Sequence, residues 1–394
     1  MKIIAVNAGS SSLKFQLLDM PSETEIVSGI VERIGIKNSV IKIKLNGEKI
    51  VEELDIPDHG IAVELVLSKL VDLNIVKDIN EIDGVGHRVV HGGEKFSDSV
   101  VIDDEVIKAI EDVSDLAPLH NPANLTGIRA FKKALPHING VAVFDTAFHQ
   151  TMEKEVFLYG VPYEWYTKYG VRKYGFHGTS HKYVANRAAE LMGMKVEDAN
   201  VIVLHIGNGA SICAVKGGKS VDTTMGLTPL AGIMMGTRSG DIDPAIVEFI
   251  CDKENKTVKE VISDLNKKSG YIGISQNSSD SRDLWTATHA GDKQSLLAIR
   301  KQVKMICDYI AAYYVTMGRV DAICFTAGVG ENAIFTRQLV AKRLAPLGVE
   351  IDEDRNFVRG VERLISTDES KIKLYLLPTN EEVFIARDTL RLSK

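Results

Sequence analysis

The sequence predicts an α/β protein that contains a duplicated domain, and two observations lead to this fold class. Short apolar runs alternate along the chain with stretches of helical periodicity, as they do in α/β proteins. A strand–loop–strand pattern also occurs twice, once around Gly9 and again around Gly207. The 394 residues suffice for roughly two to three domains with cores of their own. Two similar domains would face each other across a central cleft, where ligands commonly bind.

The apolar runs have the composition of buried strands. They are Lys2–Val6, Gly84–Val90, Gly140–Phe144, Val201–Ile206, Ala322–Ala327 and Leu374–Leu377. Because strands of this kind alternate with helical stretches, the sequence does not suit an all-helical or an all-β protein.

Helices are expected between these strands. Asn121 followed by Pro122 is typical of a helix start. Thr179 or Ser180 is expected to cap a second helix, which Gly193 ends. The predicted helices therefore cover Ala123–Ala134, the segment from Ser180 to Gly193, and Phe335–Leu344 with a start at Asn332 or slightly later.

The internal repeat carries the prediction of a duplicated domain. Aligning Gly9 with Gly207 matches a buried strand, a small polar loop and a return strand in both copies. The matched strands are Ile3–Val6 with Val201–Leu204, and Phe15–Leu17 with Cys213–Val215. A chance match is the alternative, but agreement over all three parts favours duplication, and the interval is too long for a solenoid. We expect the domain boundary near Phe148–Glu155.

Composition excludes several classes of protein. The 47 Lys and Arg against 53 Asp and Glu give a net charge of -6, which argues against nucleic acid as the main partner. No apolar run is long enough to span a bilayer, and the first one stops at Asn7, unlike a signal peptide. We therefore expect a cytoplasmic protein without a membrane partner. The 4 cysteines form no CxxC pair, which excludes a disulfide framework and the usual zinc sites.

Three glycine-rich loops are candidates for holding phosphate groups, because small residues let backbone N–H groups converge on an anion. They are Asn7–Ser12 with Lys14 just beyond, His205–Ser211, and Thr326–Ala333. Each has an ordinary alternative: a polar hairpin, an Asn-Gly turn, or a weak and unusually late dinucleotide motif. Together they predict a nucleoside triphosphate gripped between the two domains.

The segment Gly218-Lys219-Ser220 resembles the end of a P-loop. The first glycine that a P-loop requires is replaced by Cys213, so a P-loop is rejected. We expect a hairpin turn over Lys216–Lys219 instead.

A triphosphate implies Mg²⁺, which prefers oxygen ligands and retains several waters. Asp145 directly follows a predicted strand, and Glu381 and Glu382 follow the last one, where ligands collect in α/β sheets. Acidic residues are also common in the first turn of a helix, which is the alternative for the two glutamates.

Cations are needed where phosphoryl groups are transferred. Arg88 lies among valines in a predicted strand, so it is either paired or aimed into the cleft. Arg238 and His177 lie in glycine-flanked loops, whereas Arg282 has a surface ion pair as its simplest explanation. His87 is not expected to bind metal, because it lies in a strand.

Several segments of the chain resemble the sequence blocks of the acetokinase family. They are Val6–Lys14, His87–Gly93, Pro118–Pro122, Phe144–His149, Phe176–His181, His205–Gly209, Met235–Asp241 and Gly328–Asn332. Together with the flanking strands they run from residue 2 to about Glu382, which is nearly the whole chain.

The resemblance implies the duplicated ribonuclease H-like fold of sugar kinases, actin and heat-shock ATPases. It implies an acyl-substrate domain over residues 1–150 completed by about 382–394, a nucleotide-binding domain over 151–381, and a homodimer. The implied reaction is reversible transfer of the γ-phosphoryl group of ATP to acetate with Mg²⁺, or Mn²⁺ in its place. Our own hypothesis is that this transfer is direct and in-line. Propionate or butyrate remains an alternative acceptor, because one methylene changes binding by only about 1–3 kcal/mol.

The resemblance also assigns residues to roles. The metal falls to Asn7 and Glu381, the acetate carboxylate to Arg88, the methyl pocket to Val90, Leu119, Phe176 and Pro229, transition-state stabilisation to His177 and Arg238, the catalytic carboxylate to Asp145, and ATP to Lys14, His205, Ile206, Gly207, Asn208, Gly209, Asp280, Ser281, Arg282, Gly328, Val329, Gly330, Glu331 and Asn332.

The chemistry of the acceptor bears on the carboxylate. Acetate is already ionised at neutral pH, so its attack needs no base. We therefore expect Asp145 to orient an arginine or hold metal-bound water. A hydroxyl-acceptor kinase with Asp145 as base and a non-catalytic nucleotide switch are the remaining rivals.

Overall fold

Two β-sheets organise the chain in the structure, a computed structural model that describes residues 1–118 and 120–393. The first unit contains Met1–Gln150 and the segment from Asn380 onward, and the second contains Thr151–Thr379. Each unit has one of the two sheets, so the predicted α/β class is confirmed.

Strands and helices alternate along much of the chain. The strands are β1 (Lys2–Gly9), β2 (Ser12–Asp19), β3 (Thr24–Glu32), β4 (Ser39–Leu45), β5 (Glu48–Leu54), β6 (Ile82–Val89), β7 (Val100–Val101), β8 (Val141–Phe144), β9 (Asn200–Ile206), β10 (Ala210–Lys216), β11 (Lys219–Thr223), β12 (Ala322–Thr326), β13 (Arg363–Leu364) and β14 (Lys373–Leu376). The helices are α1 (His59–Asp72), α2 (Asp104–Asp112), α3 (Asn121–Ala134), α4 (Lys154–Phe157), α5 (Tyr163–Tyr169), α6 (Gly178–Leu191), α7 (Ala245–Glu254), α8 (Val258–Lys267), α9 (Gly270–Ser275), α10 (Ser281–His289), α11 (Lys293–Met317), α12 (Ala327–Asn332), α13 (Ile334–Leu344), α14 (Glu353–Asn356) and α15 (Glu381–Leu392). Short 3-10 turns lie at Ile79–Glu81, Ser114–Leu116, Ala147–Thr151, Val196–Asp198 and Ala345–Leu347.

The first unit is built on an eight-stranded sheet in the order β5-β4-β3-β2-β1-β6-β8-β7. Strand β1 is antiparallel to β2 and parallel to β6, which is in turn parallel to β8. One face of β1 packs toward α1 and α3, with Ile4, Val66 and Phe131 in one buried cluster. Its other face packs on α15, where Ile3 and Ile385 are both buried, so the last helix of the chain completes this unit's core.

The second unit has a six-stranded sheet in the order β11-β10-β9-β12-β14-β13. Its strands β11-β10-β9-β12-β14 repeat the order of β3-β2-β1-β6-β8, and the directions agree, with two antiparallel pairs followed by two parallel pairs. The predicted duplication is thus confirmed by topology.

The predicted alignment of the return strands is wrong by one residue. In the first hairpin Val6 pairs with Phe15, whereas in the second the equivalent Leu204 pairs with Ile212 and not with Cys213. The cause is the length of the loop. In the first hairpin the strand pairing includes Gly9, which pairs with Ser12, whereas in the second it ends at the pair of Ile206 and Ala210, so that Gly207 and Gly209 lie in the loop.

The predicted strands and helices are present, with small shifts at their ends. The expected cap of α6 is wrong, because the helix already begins at Gly178 and buries Thr179 and Ser180 in its first turn. The residue at the N-cap is His177, whose left-handed φ of 57° makes the turn that a capping hydroxyl was expected to make. The turn between β10 and β11 is confirmed, since Gly217 and Gly218 both have positive φ.

Among the described residues, no helix is long and apolar enough to cross a membrane. Cys213 and Cys324 are buried in β10 and β12, as expected, and the 4 cysteines are free.

Gly86 fits α15 so closely that it offers a test of this packing. A Cβ at this position would overlap the side chains of Thr389 and Ile385. We expect Gly86→Ala to lower the free energy of unfolding by about 1–3 kcal/mol, which is typical of overpacking. Urea denaturation followed by circular dichroism measures this. Gly160→Ala, where the added Cβ meets nothing within 4 Å, serves as the control. Equal stability of the two variants would contradict the close fit.

Candidate active site

An ion pair between a half-buried arginine and a buried aspartate lies at the ends of two neighbouring strands of the first unit. The Nε of Arg88 donates to Oδ1 of Asp145 over 2.9 Å, and its Nη2 donates to Oδ2 over 2.6 Å. Arg88 is on β6, and Asp145 follows β8, the parallel neighbour of β6. Burial disfavours the guanidinium charge, yet Asp145 and Glu381 outweigh this and raise the pKa of Arg88 above its ordinary value. Arg88 is thus salt-bridged, one of the two alternatives that the sequence left open.

The pairing leaves one edge of the guanidinium available. A guanidinium has five N–H donors in a planar fork, and two of its edges can each bind a carboxylate. Asp145 occupies the edge formed by Nε and Nη2, and no other described residue accepts a hydrogen bond from Arg88. The edge formed by Nη1 and Nη2 can therefore take a second carboxylate in bidentate fashion.

Two glutamates occupy the first turn of α15, as the helix alternative suggested. Asn380 caps this helix, since its Oδ1 accepts from the backbone N–H of Val383 over 3.1 Å. Glu381 approaches Arg88 with Oε2 4.0 Å from Nε, and Glu382 pairs with Lys14 of β2. Burial raises the pKa of Glu381, Arg88 opposes this increase, and the carboxylates of Asp145 and Glu382 add to it.

The residues expected to hold Mg²⁺ fit that ion chemically. Asn7 on β1 and Glu381 offer oxygen donors, which Mg²⁺ prefers. A divalent cation would also relieve the repulsion that raises the pKa of Glu381. The described residues contain no group of three or more His, Cys, Asp or Glu placed to hold a metal.

The segment after β6 is fixed by an asparagine of α3. The backbone N–H of Val90 donates to Oδ1 of Asn124 over 3.1 Å, and Nδ2 of Asn124 donates to the carbonyl of Ala8 over 2.8 Å. Val90 is buried there, while Leu119, expected in the same methyl pocket, lies outside the described residues. His87 on β6 is buried, and burial lowers its pKa to about 3, so it stays neutral.

In the second unit, three histidines and two serines form one hydrogen-bonded and stacked cluster. Oγ of Ser211 lies 2.9 Å from Nδ1 of His177 and 2.7 Å from Nε2 of His181. Oγ of Ser180 lies 2.8 Å from Nδ1 of His205. The rings of His177 and His205 stack with centroids 4.1 Å apart and an interplanar angle of 16°.

Arg238 is held by a tight turn. The backbone N–H of Met235 donates to the carbonyl of Arg238 over 3.0 Å, and that of Tyr271 donates to the carbonyl of Met235 over 2.9 Å. The Nη1 of Arg238 donates to the carbonyl of Pro229 over 3.1 Å, which ties the expected methyl-pocket proline to this arginine. No carboxylate of the described residues pairs with Arg238, and burial lowers its pKa.

His177 and Arg238 converge above Gly209. A Cβ placed on this glycine would lie 3.5 Å from Nη1 of Arg238 and 3.8 Å from Nε2 of His177. The missing side chain leaves a small space above Gly209 that lies close to both nitrogen atoms.

A large cavity of about 920 Å³ opens beside the second glycine loop. It is lined by Gly207, Asn208, Tyr271, Ser279, Asp280, Ser281, Arg282, Trp285, Thr286, His289, Gly328, Val329, Asn332, Ala333, Ile334, Phe335 and Arg359. One wall is aromatic, because the ring of Phe335 lies 5.2 Å from that of Trp285 and 5.1 Å from that of His289. Volume, glycine loops and an aromatic wall together suit a nucleotide.

The third glycine loop is a short helix, α12, and not an irregular loop. Ala327 starts it with a positive φ of 64°, a strained conformation for a residue with a side chain. The fully buried Arg337 supports its end, donating from Nη1 to the carbonyls of Gly330 and Glu331 over 2.9 and 3.0 Å. Burial lowers the pKa of Arg337 to about 10.

The structure brings together most, but not all, of the residues expected to hold ATP. The expected residues that line the cavity are Gly207, Asn208, Asp280, Ser281, Arg282, Gly328, Val329 and Asn332. Those that do not line it are Lys14, His205, Ile206, Gly209, Gly330 and Glu331. Lys14 lies in the first unit, and Oε1 of Glu331 accepts from the backbone N–H of Thr379 over 3.4 Å.

Sequence reasoning missed the aromatic wall. Trp285, His289 and Phe335 come from α10 and α13, which are far apart in the chain. The i,i+4 spacing of Trp285 and His289 on a capped helix was the available signal, but amphipathic spacing more often marks a core. Phe176, expected in the methyl pocket, is buried in the second unit.

Comparison with known proteins identifies close relatives. Residues 2–387 match the model of the acetokinase family. A curated relative, the acetate kinase of Bacillus subtilis (strain 168), is 59% identical over 393 residues, and the alignment covers 100% of both chains. The crystal structure of Porphyromonas gingivalis acetate kinase has 47% identity and a TM-score of 0.97, with 100% of both chains covered. The structure of a propionate kinase from Francisella tularensis has 42% identity and a TM-score of 0.94, with 99% of both chains covered.

The aromatic wall gives a direct test of the cavity. The chain has only 2 tryptophans, Trp165 and Trp285, of which the second lines the cavity. We expect ADP to change the fluorescence of a Trp165→Phe variant, and Trp285→Ala to raise the Kd for ADP about tenfold or more, because loss of base stacking typically costs about 1–3 kcal/mol.

Trp165→Phe and Trp285→Phe are the matched pair for this titration. A fluorescence change that persists in Trp285→Phe and vanishes in Trp165→Phe would show that the nucleotide binds elsewhere.

Proposed function

The chain belongs to the acetokinase family, and on that premise we propose that it transfers the γ-phosphoryl group of ATP to acetate, giving acetyl phosphate and ADP. The observation that carries this proposal is the Arg88–Asp145 pair, which holds one guanidinium edge and leaves the other open. That edge suits a small carboxylate, whereas a sugar hydroxyl would need a base.

A carboxylate acceptor needs no general base, which agrees with the pairing of Asp145 with Arg88. Both oxygens of the Asp145 carboxylate accept hydrogen bonds from Arg88, an arrangement that suits a residue that positions the guanidinium. Acetate needs no base, because a carboxylic acid with a pKa of about 4–5 is ionised at neutral pH. We assign Asp145 to orienting Arg88.

We assign the 920 Å³ cavity to ATP, with the base against Trp285 and Phe335 and the phosphates toward Gly207 and Asn208. Asn7 and Glu381 would hold Mg²⁺, or Mn²⁺ in its place. The ion would neutralise part of the phosphate charge as the phosphoryl group leaves.

We assign His177 and Arg238 to the transferring phosphoryl group. Both face the space above Gly209, and no carboxylate of the described residues pairs with Arg238 there. In a loose transfer, negative charge spreads over the equatorial oxygens, which positioned donors stabilise. For transfer, the phosphoryl group has to come in line with a carboxylate oxygen held by Arg88.

Propionate is the second candidate acceptor. A relative with 42% identity and nearly full coverage is a propionate kinase. The expected methyl pocket contains Val90, Phe176 and Pro229, and a pocket of apolar groups discriminates one methylene by only about 1–3 kcal/mol. We favour acetate because curated relatives of 58–59% identity are acetate kinases.

Trapping of the product tests the proposal. The full-length protein is incubated with ATP, Mg²⁺, hydroxylamine and one of acetate, propionate or butyrate, and the hydroxamate formed is measured. We expect acetate to give the highest kcat/KM. Formation of no hydroxamate from any of the three acids, with intact protein, would reject a carboxylate acceptor.

We further propose that the chain forms a homodimer through α7 and α8. These helices expose Phe249 and Val258 to 59% and 61%, and Ile246 and Ile262 are also exposed. Contiguous exposed apolar groups of this kind mark interaction surfaces. Sedimentation equilibrium of the wild type and of Phe249→Lys tests this, with the variant expected to be monomeric. A wild-type monomer would contradict it.

The two arginines are expected to fail in different ways. Arg238→Ala should lower kcat by about 10²–10³ with little change in the KM for ATP, as removal of one transition-state donor typically does. Arg88→Ala should chiefly raise the KM for acetate, because Arg88 is proposed to bind the carboxylate in the ground state as well as in the transition state. Steady-state kinetics with each substrate varied measures both effects. Arg129→Ala, which removes a surface ion pair with Glu111, should change neither.

Asp145→Asn separates positioning from acid–base chemistry. We expect a higher KM for acetate and a lower kcat, because an amide offers Arg88 only one acceptor oxygen. The pH dependence of kcat should keep its shape. If the variant instead lost one limb of the pH profile with an unchanged KM for acetate, Asp145 would be a proton carrier.

A further inference from the structure

Ser211 occupies a position that the roles assigned above do not explain. It is a fully buried residue of β10, opposite His205 in the antiparallel pair with β9. Its Oγ lies 2.9 Å from Nδ1 of His177 and 2.7 Å from Nε2 of His181. A single hydroxyl therefore bridges two imidazole rings, one of which faces the space above Gly209.

The proton count of this bridge restricts the two rings. A serine hydroxyl has one proton and can donate it to only one partner, while its lone pairs can accept from the other. A neutral imidazole has one N–H donor and one acceptor nitrogen. When both contacts are good hydrogen bonds, Ser211 donates to one histidine and accepts from the other.

The two possible directions of donation by Ser211 have different consequences at Nε2 of His177. If Ser211 donates to Nδ1 of His177, the ring carries its proton on Nε2 and presents a donor. If Ser211 donates to His181 instead, the neutral His177 ring presents a bare lone pair, which would repel a phosphoryl oxygen. Only the first direction serves an anion above Gly209, and it requires His181 to donate from Nε2.

We propose that Ser211 and His181 are positioning residues that hold His177 as a neutral Nε2–H donor toward the transferring phosphoryl group. This inference rests on the proposed phosphoryl transfer. The order of donation is His181 Nε2–H to Ser211 Oγ, Ser211 O–H to His177 Nδ1, and His177 Nε2–H to a phosphoryl oxygen. No proton is transferred in this arrangement.

The surroundings of His177 favour its neutral form. The ring of His205, from β9, stacks on it at 4.1 Å, and the guanidinium of Arg238 faces the same space above Gly209. His181, from the helix that His177 begins, points at the shared hydroxyl. A proton added at Nδ1 would oppose the hydroxyl proton of Ser211 and a neighbouring cation, so both act against protonation.

Kinetics of Ser211 variants test this proposal. Ser211→Ala should lower kcat about tenfold, the size expected for one neutral hydrogen bond, and leave both KM values within about twofold. The acidic limb of the pH profile of kcat should move to higher pH, because Nδ1 of His177 no longer meets a donor and takes a proton more readily. Ser211→Thr, which keeps the hydroxyl, should restore most of kcat.

The control is Ser220→Ala, which removes another fully buried hydroxyl from the adjacent strand β11. Its Oγ contacts the sulfur of Cys213 over 3.3 Å, and the variant should match the wild type in kcat and pH profile. A Ser211→Ala variant that kept the wild-type kcat and pH profile would overturn the proposal.

Nitrogen NMR of histidine-labelled wild-type protein provides a readout that does not depend on activity. The His177 signals are identified by their loss in His177→Gln. We expect Nε2 to be protonated and Nδ1 unprotonated and hydrogen-bonded at a pH of about 8, above the ordinary pKa of histidine. A protonated Nδ1 would overturn the proposal. If the expected tautomer is found but the wild type phosphorylates no carboxylic acid, the proposed function fails while the hydrogen-bond order stands.

Discussion

The ion pair between Arg88 and Asp145 is the interaction on which the first unit's chemistry depends. A guanidinium that is withdrawn from water needs acceptors that offset its lost hydration, and Asp145 provides them for Arg88 through both of its oxygens. The same contact fixes the plane of the fork, so that the remaining edge has a defined direction. If Arg88 binds the acceptor as proposed, one pair of residues serves both the stability of the unit and the orientation of the substrate.

The fold explains why these two residues meet. Strands β6 and β8 are parallel neighbours, with Arg88 opposite Val143, and the backbone N–H of Asp145 donates to the carbonyl of Val89 over 3.0 Å. Because the carboxyl ends of parallel strands share one edge of the sheet, residues distant in sequence arrive side by side. The second unit repeats this sheet, and there the end of β9 leads into the glycine loop, while α12 follows the parallel strand β12. The same topology thus places the Arg88–Asp145 pair at the strand ends of the first unit and the glycine loops at the strand ends of the second.

Much of this could be predicted from the sequence, and the reasons for the failures are physical. Strand and loop patterns are local, so the repeat around Gly9 and Gly207 predicted the duplicated sheet. The one-residue error in the return strand came from loop closure, which depends on where a ladder stops and not on hydrophobic pattern. The aromatic wall was missed because Trp285 and Phe335 come from different helices and meet only in three dimensions. Ser211 was predicted only as the end of the second glycine-rich loop, because the two histidine rings that its hydroxyl contacts come from another part of the chain.

The cationic groups of the two units differ in a way that suits their ligands. Arg88 already has Asp145 as its carboxylate partner and Glu381 nearby, so the proposed binding of a singly charged acid would depend on the geometry of the open guanidinium edge and not on an unbalanced charge. Arg238 has carbonyl and sulfur partners within the described residues, and burial lowers its pKa, so its charge stays largely unbalanced. An anion that arrives beside it recovers the electrostatic energy that desolvation had cost. Because this gain grows as negative charge collects on the phosphoryl oxygens, the unbalanced arginine contributes more to the transition state than to ground-state binding. In the proposed hydrogen-bond order, a neutral His177 beside it adds a directed donor without adding a second charge that the buried arginine would repel.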